Sequence, residues 1–275
     1  MRSEAVSESQ TAARIARNPG PAHLLRALFA VSAREFDKFL HQRSRFLAAL
    51  LRPLLWLFIV AVGFEAAFDG SGSYRAYMLP GLLGVVLLFH GMQSALSMVY
   101  EREMGMMRLL LTAPLPRAYL LFCKLAAISL LAVGQAYLFL GLAALFGVGI
   151  GVQGWLYLLP ALLVGGAMLG ALGLAISVYV HQLENFAGLM NFVIFPMFFL
   201  SSALYPLSRF AAAGADYLVT LALLNPFTHL VELLRAASEG RFDAAGYGVM
   251  AGCTLLFFLI ARTGYDPERG IFNRR

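Results

Sequence analysis

The chain has 275 residues, of which 60% are hydrophobic and only 13% are charged, with a net charge of +6. Soluble domains carry about one-quarter charged residues, so this composition excludes a soluble globular protein and indicates a membrane protein. It also excludes disordered, collagen-like and disulfide-rich chains. The two cysteines, Cys123 and Cys253, lie in apolar surroundings and are interpreted as small buried side chains.

Six apolar stretches are long enough to cross a hydrocarbon core about 30 Å thick, which takes roughly 20 helical residues. They lie near residues 46–68, 78–100, 119–147, 156–180, 186–204 and 245–262. They predict an all-α, polytopic membrane domain over residues 22–275. With six spans, most of the 21 Lys and Arg residues fall on one side of the membrane. The positive-inside rule therefore predicts cytoplasmic N- and C-termini. The expected location is a bacterial inner membrane.

The N-terminal segment divides into two parts. Residues 1–21 are polar, lack the apolar stretch of a signal peptide, and predict a disordered cytoplasmic tail. Apolar residues then recur at helical spacing from Leu25 to Leu40, with basic residues such as Arg34 and Lys38 mostly off that stripe. This pattern predicts an amphipathic helix at the cytoplasmic interface, in contact with membrane lipid, a partner protein or both. The basic residues follow the topology and form no patch, so nucleic acid is not an expected partner.

The sequence lacks the motifs of several membrane enzymes and carriers. Its two lysines do not follow a glycine-rich loop, so the chain has no phosphate-binding motif of its own. His181 and Glu184 form a single pair, whereas metalloproteases need two histidines four residues apart. Glu65 and Glu232 lie near the outer boundary, whereas proton-coupled carriers place carboxylates at mid-membrane. We therefore expect a chain that is not an enzyme and binds no metal or cofactor.

The segment between the second and third spans, residues 101–117, combines charges with apolar residues at helical spacing. Met104, Met107 and Leu111 share one face, and the prolines near residue 114 end the pattern, which predicts a short amphipathic helix. Such a helix, joined to two spans, is suited to docking a soluble partner, and an ordinary solvated turn is the alternative. The candidate docking residues are Glu101, Arg102, Glu103, Gly105, Arg108, Pro114 and Arg117.

A second informative segment begins within the fifth predicted span. Pro196 breaks or kinks this span, which requires the freed carbonyls to be buried in protein or to face water. Residues 205–244 are too apolar for a free loop and too interrupted for a span, so they predict short re-entrant helices. Asn225 and Pro226 would cap and start the second of these helices. Its polar residues recur at intervals of three and are His229, Glu232 and Arg235.

Polar and aromatic side chains within the spans are candidates for a transport path. Lipid cannot satisfy polar groups such as His90, Gln135 and Asn191, so we expect them to point inward, either as interhelical hydrogen bonds or along a path. The phenylalanines of the fifth span either pack in the core or line an aromatic path for an amphiphile. The pathway and gate candidates are His90, Gln93, Ser94, Ser97, Asn191, Phe195, Pro196, Phe199, Pro206, Asn225, Pro226, Thr228, Glu232 and Arg235.

Three segments in this order resemble the membrane-spanning permease subunits of type-2 ABC transporters, over residues 22 to the end. The segments are Glu101-Arg102-Glu103-x-Gly105 with Thr112-Ala113-Pro114 and Arg117, Phe195-Pro196 to Pro206, and Asn225-Pro226-Phe227-Thr228 with Glu232 and Arg235. The stretch after Pro206 departs from the family pattern, which usually has another proline there. Because of this difference, the resemblance does not specify the detailed shape of the gate.

The resemblance implies a role for each segment. Residues 101–117 would be the coupling helix that contacts a separate cytoplasmic ATPase dimer, which binds ATP and Mg²⁺. The N-terminal amphipathic helix would be the interface helix, and residues 207–240 would form an extracytoplasmic gate. Two permeases, as a homodimer or a heterodimer, would form one pathway. The expected function is export of an amphipathic or lipid-linked compound, and the alternatives are an ATP-independent carrier or channel and a membrane assembly factor.

Overall fold

The computed structural model describes residues 20–41, 43–67, 74–106, 115–180, 182–212 and 214–264. Every regular element within these ranges is helical, so the predicted all-α class is confirmed. The disordered tail predicted for residues 1–21 lies almost entirely outside the described residues.

The helices are as follows in chain order. After α1 (Pro21–His41) comes a helical run of three parts, which are α2 (Arg43–Leu55), a π-helical stretch (Trp56–Val60) and α3 (Ala61–Ala67). Three long helices follow, α4 (Tyr74–Glu103), α5 (Arg117–Leu145) and α6 (Val152–Tyr179). Shorter helices come next and are α7 (Leu183–Phe199), α8 (Leu207–Ala212), α9 (Asp216–Leu224) and α10 (Pro226–Ser238). The last described helix is α11 (Ala244–Gly264).

Four helices, α4, α5, α6 and α11, are long and apolar enough to cross a membrane. The pair α9 and α10, bent by 81°, is a fifth candidate if it counts as one span. The described residues thus hold four or five candidate spans, against six expected from the sequence. The run α2 to α3 contains Arg52 and Pro53, and α7 has only 17 residues, which is shorter than the roughly 20 a perpendicular span needs.

Helix α4 is the centre of the bundle, because every residue from Met78 to Met92 is buried. It packs against α6 at backbone contact: a Cβ atom added at Gly173 would lie 2.7 Å from the carbonyl oxygen of Gly91. Small residues permit such close approach between membrane helices. By contrast, α11 is mostly exposed and buries only Gly246, Met250 and Ala261.

The predicted amphipathic helix is present as α1, and it packs lengthwise against α5. The Tyr119 hydroxyl donates a hydrogen bond to the Leu24 carbonyl at 2.7 Å, near the start of both helices. Further along α1, Phe39 lies edge-on to His90 at 5.7 Å between ring centroids. Helix α1 therefore contacts both α5 and α4. One apolar stripe of α1 stays exposed and comprises Leu25, Phe29, Phe36 and Leu40.

Candidate functional site

The predicted polar stripe of α4 faces the interior and lines a small cavity of about 50 Å³. His90 is buried, and its Nδ1 atom lies 2.8 Å from Oε1 of Gln135 on α5. Gln93, Ser94 and Ser97 line the same cavity, together with residues of α1. His90 and Gln135 are thus buried, as expected, whereas Gln93, Ser94 and Ser97 are half-buried.

This polar pair leaves hydrogen-bonding capacity unused. Gln135 Nε2 is buried and has no hydrogen-bond partner among the described residues. The other ring nitrogen of His90 lies near the backbone of Ile128 without a hydrogen bond of good geometry. Since buried polar atoms are nearly always hydrogen-bonded, Gln135 Nε2 is a donor available to a group in the cavity.

A buried ion cluster lies beyond this cavity, around Glu101 at the end of α4. The Glu101 carboxylate accepts hydrogen bonds from Lys124 Nζ at 2.6 Å and Arg34 Nη2 at 3.1 Å, and it also contacts Lys38 Nζ. The Glu101 side chain is only 1% exposed, whereas Arg34 is 40% exposed. A buried carboxylate costs several kcal/mol unless it is paired, so the cations of α1 and α5 explain why Glu101 is tolerated here.

The ion cluster changes the interpretation of Glu101. The sequence pattern suggested that its carboxylate pairs with a docked partner, but the structure directs this carboxylate into the chain. Arg102 also bonds internally, because its Nη1 atom donates to the carbonyls of Ser177 at 3.1 Å and Val178 at 3.2 Å. These carbonyls belong to the last turn of α6, which lacks intrahelical partners for them. Both residues thus fix the end of α4 to its neighbours.

The remaining candidate docking residues lie at the surface or outside the described residues. Glu103 is the last residue of α4 and is exposed, as are Met104 and Met106. The chain turns there at Gly105, whose φ of 72° is a conformation that glycine adopts without a steric cost. Met104 therefore lies in a turn, and the rest of the predicted short helix, with Arg108 and Pro114, lies outside the described residues. Arg117 is exposed at the start of α5.

At the opposite end of α4, Asn225 joins two helices. Its Oδ1 atom accepts a hydrogen bond from the Phe227 amide at 3.0 Å, which caps the start of α10 as predicted. Its Nδ2 atom donates to the carbonyls of Met197 and Leu200, both at 2.7 Å, at the end of α7. Pro226 occupies the first turn of α10. The second role of Asn225, as a donor to α7, had no signal in the sequence.

Arg235 holds α10 against the segment after α7. Its Nη2 atom donates to the Ser202 carbonyl at 3.0 Å, and its guanidinium lies 4.2 Å from the centroid of the Tyr77 ring. The Tyr77 hydroxyl donates to the same carbonyl at 2.9 Å. Glu232, which is exposed, pairs with Arg235 at 2.5 Å. Arg235 thus contributes to the packing of α10 more than to an outer surface.

The other residues of this region have distinct positions. Helix α7 ends one turn beyond Pro196. Pro206 directly precedes α8 and accepts a hydrogen bond from the Arg209 amide at 2.9 Å. Thr228 is buried, and its hydroxyl has no hydrogen-bond partner among the described residues.

One face of α7 is exposed, and this contradicts the prediction for Asn191. The Asn191 side chain is exposed on the single chain, although it was expected to point inward. Phe192, Phe195 and Phe199 are also exposed, and the last two stack at 6.1 Å between centroids. Inward orientation was inferred because lipid cannot satisfy an amide, but a second protein surface can satisfy it equally well.

Lys124 was missed as a candidate, although the sequence carries a signal for it. It is a lone charge within the third apolar stretch, and charged residues there are usually paired and functional. Its partner Glu101 comes from a different helix, so spacing alone does not reveal the pair. In the described part of the chain, no group of three or more His, Cys, Asp or Glu side chains is arranged to hold a metal ion.

The apolar helices and buried polar contacts define a multi-pass membrane protein of all-α architecture. Residues 26–238 match the family model described as ABC-2 type transporter, so the chain belongs to this family and the resemblance noted in the sequence is confirmed. The chain is a membrane subunit of a transporter.

Related proteins agree with this assignment. The chain is 27% identical over 259 residues to the transport permease ycf38 of Cyanophora paradoxa, which covers 86% of this chain and 85% of that protein. It is 27% identical over 219 residues to ycf38 of Porphyra purpurea, covering 77% of this chain and 74% of that protein. It is 24% identical over 210 residues to nodulation protein J of Rhizobium leguminosarum bv. viciae, covering 71% of this chain and 75% of that protein.

Proposed function

We propose that this chain is the permease subunit of an exporter whose energy comes from a separate cytoplasmic ATPase dimer. ATP and Mg²⁺ would bind to that partner, and this chain would bind no cofactor. Two permeases, most simply two copies of this chain, would form one pathway for an amphipathic or lipid-linked compound. The observation that carries the proposal is the exposed end of α4, which is fixed to three other helices directly behind its surface.

The contacts at this end suit the transmission of motion. Glu103 and Met104 are exposed, so a soluble partner can reach them. One residue earlier, Arg102 bonds to the end of α6, and Glu101 bonds to α1 and α5. A displacement applied at Glu103 would therefore move four helices together. A partner shifts a conformational equilibrium only if it contacts the two states differently, and a rigidly held surface provides that difference.

The exposed face of α7 supports a second permease. An amide in hydrocarbon without a partner is costly, and Asn191 is exposed beside Phe192 and Phe195. A second permease packed on this face would give Asn191 a partner and cover the phenylalanines. A transport path along the same seam would have an aromatic lining suited to an amphiphile.

We further propose six spans, with the run α2 to α3 as the first and α7 as the fifth. The positive-inside bias then favours cytoplasmic termini. The membrane we propose is a bacterial inner membrane. Glu103 would face the cytoplasm, and α8 to α10 would form a re-entrant gate on the other side. The bend of 81° between α9 and α10 supports this re-entrant path.

A charge reversal tests the coupling role. Glu103→Lys changes the exposed end of α4, while Arg241→Glu is a matched reversal at the other end of the molecule, on a side chain 69% exposed. Each variant is co-expressed with an ABC ATPase from the same genome, and co-purification and ATP turnover in reconstituted vesicles are measured. We expect Glu103→Lys alone to release the ATPase or to uncouple its turnover from the permease.

Two outcomes would contradict the proposal. If Glu103→Lys leaves both co-purification and ATP turnover unchanged, residues 101–117 do not couple to an ATPase. If the purified chain moves a lipid-linked compound without any ATPase, the chain is an ATP-independent carrier or channel.

A further inference from the structure

An apolar groove of about 250 Å³ runs between α1 and α5, on the outer side of the cavity beside His90. Its walls include Phe36 and Phe39 of α1 and Ala127, Leu130 and Gly134 of α5. Leu130 and Phe36 are 62% and 52% exposed, so the groove opens sideways on the surface of a candidate span. Since that surface of a membrane protein meets lipid, the groove is open to acyl chains.

The groove lies next to the cavity beside His90, and that cavity lies next to a smaller charged one. Phe39 and Gln135 line both the groove and the cavity beside His90. Lys38 and Ser94 then line both that cavity and a smaller one that reaches Glu101 and Lys124. The groove and the two cavities are therefore adjacent, and together they form a space that is apolar at one end and charged at the other, which is the polarity of a lipid molecule.

The charged end carries an excess of positive charge. Arg34, Lys38 and Lys124 contribute three cations, whereas Glu35 and Glu101 contribute two carboxylates. Lys38 lines both cavities, and Arg34 bonds to the Glu101 carboxylate, which lines the smaller one. Both cations are partly exposed, so their remaining N–H groups can meet an anion beside the cavities. The buried Gln135 Nε2 adds a neutral donor deeper in the same space. The arrangement favours an anionic head group over a zwitterionic one.

We propose that this space binds one anionic membrane lipid, with an acyl chain in the α1–α5 groove and its head group at Arg34 and Lys38. The bound lipid would bridge α1 to the bundle beside the ion cluster that fixes α4. This site lies between helices of one chain, away from the exposed face of α7 where a second permease is proposed. The inference is independent of ATP coupling and of the exported compound.

Two glycines of α5 give a matched test. A Cβ atom added at Gly134 or at Gly141 meets no atom within 4 Å, so both positions have open space for the first side-chain atom. Gly134→Leu fills the groove, whereas Gly141→Leu adds the same side chain to the same helix outside it. Arg34→Gln removes one head-group contact, while Glu101 keeps Lys38 and Lys124.

The purified chain is reconstituted in phosphatidylcholine vesicles with trace phosphatidylglycerol or phosphatidylcholine, each spin-labelled on an acyl chain. The immobilised fraction is measured by electron paramagnetic resonance. We expect phosphatidylglycerol to be preferred by the wild type and by Gly141→Leu, and the preference to be lost in Gly134→Leu. In Arg34→Gln the relative affinity for phosphatidylglycerol should fall roughly fivefold.

Equal immobilisation of both lipids by the wild type would overturn the proposal. So would a preference for phosphatidylglycerol that survives in both Gly134→Leu and Arg34→Gln, because the lipid would then bind elsewhere. Neither measurement needs the ATPase, so failure here leaves the proposed transport function untouched.

Discussion

Lys124 Nζ lies 2.6 Å from Glu101 Oε2, in a contact that joins α5 to the last turn of α4 with both side chains buried. Arg34 and Lys38 add α1 to the same carboxylate. The three helices are therefore linked by one acidic side chain, directly behind the surface where we propose that an ATPase docks.

Removing Glu101 should destabilise the protein more than removing Lys124. In Glu101→Leu the buried Lys124 ammonium loses its carboxylate, whereas in Lys124→Met the carboxylate keeps Arg34 and Lys38. Breaking a buried pair from one side costs about 3–5 kcal/mol, and we expect Glu101→Leu to fall in this range and Lys124→Met below it. The midpoint of thermal denaturation in detergent measures both losses.

The double variant Glu101→Leu/Lys124→Met is the control for this pair. It should cost less than the sum of the single variants, because neither of the two charges is then buried alone. If the loss of stability in the double variant equals the sum of the losses in the two single variants, the two side chains contribute independently.

Gly173→Ala should separate α4 from α6. The added methyl group would lie 2.7 Å from the Gly91 carbonyl oxygen, and a backbone atom cannot move aside as a flexible side chain can. We expect a loss of about 1–3 kcal/mol, typical of overpacking. Gly141→Ala, in open space on α5, should be neutral or slightly stabilising in the same denaturation assay. A neutral result for Gly173→Ala would contradict the close contact between these helices.

Asn225→Asp should be harmful, although aspartate and asparagine are equally good helix N-caps. The carboxylate would still accept from the Phe227 amide, but it would face the carbonyl oxygens of Met197 and Leu200, which now receive hydrogen bonds at 2.7 Å. Losing both donors at a partly buried site should cost about 1–3 kcal/mol in unfolding free energy.

Asn225→Ser separates the two roles of this residue. Serine keeps the cap without placing a negative charge against the carbonyls, so its thermal midpoint should lie above that of Asn225→Asp. If Asn225→Asp matches the wild type, Asn225 acts on α10 alone and does not hold α7.

Phe195→Cys should form a disulfide between two chains if the exposed face of α7 contacts a second copy. The experiment uses a background without Cys123 and Cys253, with mild oxidation in native membranes and detection by non-reducing electrophoresis. Leu255→Cys is the control, because Leu255 is 60% exposed on α11, away from this face. Cross-linking of Leu255→Cys but not of Phe195→Cys would place the contact elsewhere.

Features that depend on local chemistry could be predicted from the sequence. Asn225 followed by Pro226 specifies a helix start in any fold, because the amide side chain and the missing proline N–H act within one turn. The polar stripe from His90 to Ser97 faces the interior as expected, because an apolar helix in lipid can place such groups only toward protein. The same argument failed for Asn191, which is exposed on the single chain, because the sequence of one chain does not show which of its surfaces a second protein would cover.

Composition and periodicity alone determined that this chain is a bundle of apolar helices, because the length and hydropathy of a span are properties of one segment. Only the tertiary structure decided which charges meet. Lys38 and Arg34 reach Glu101 across 63 and 67 residues of chain, and that meeting depends on how α1 packs and turns against α4 and α5. Nothing in the sequence pattern distinguishes Glu101, yet its carboxylate is buried where α1, α4 and α5 meet. A buried carboxylate must be paired, and the packing of these helices determines which cations pair with it.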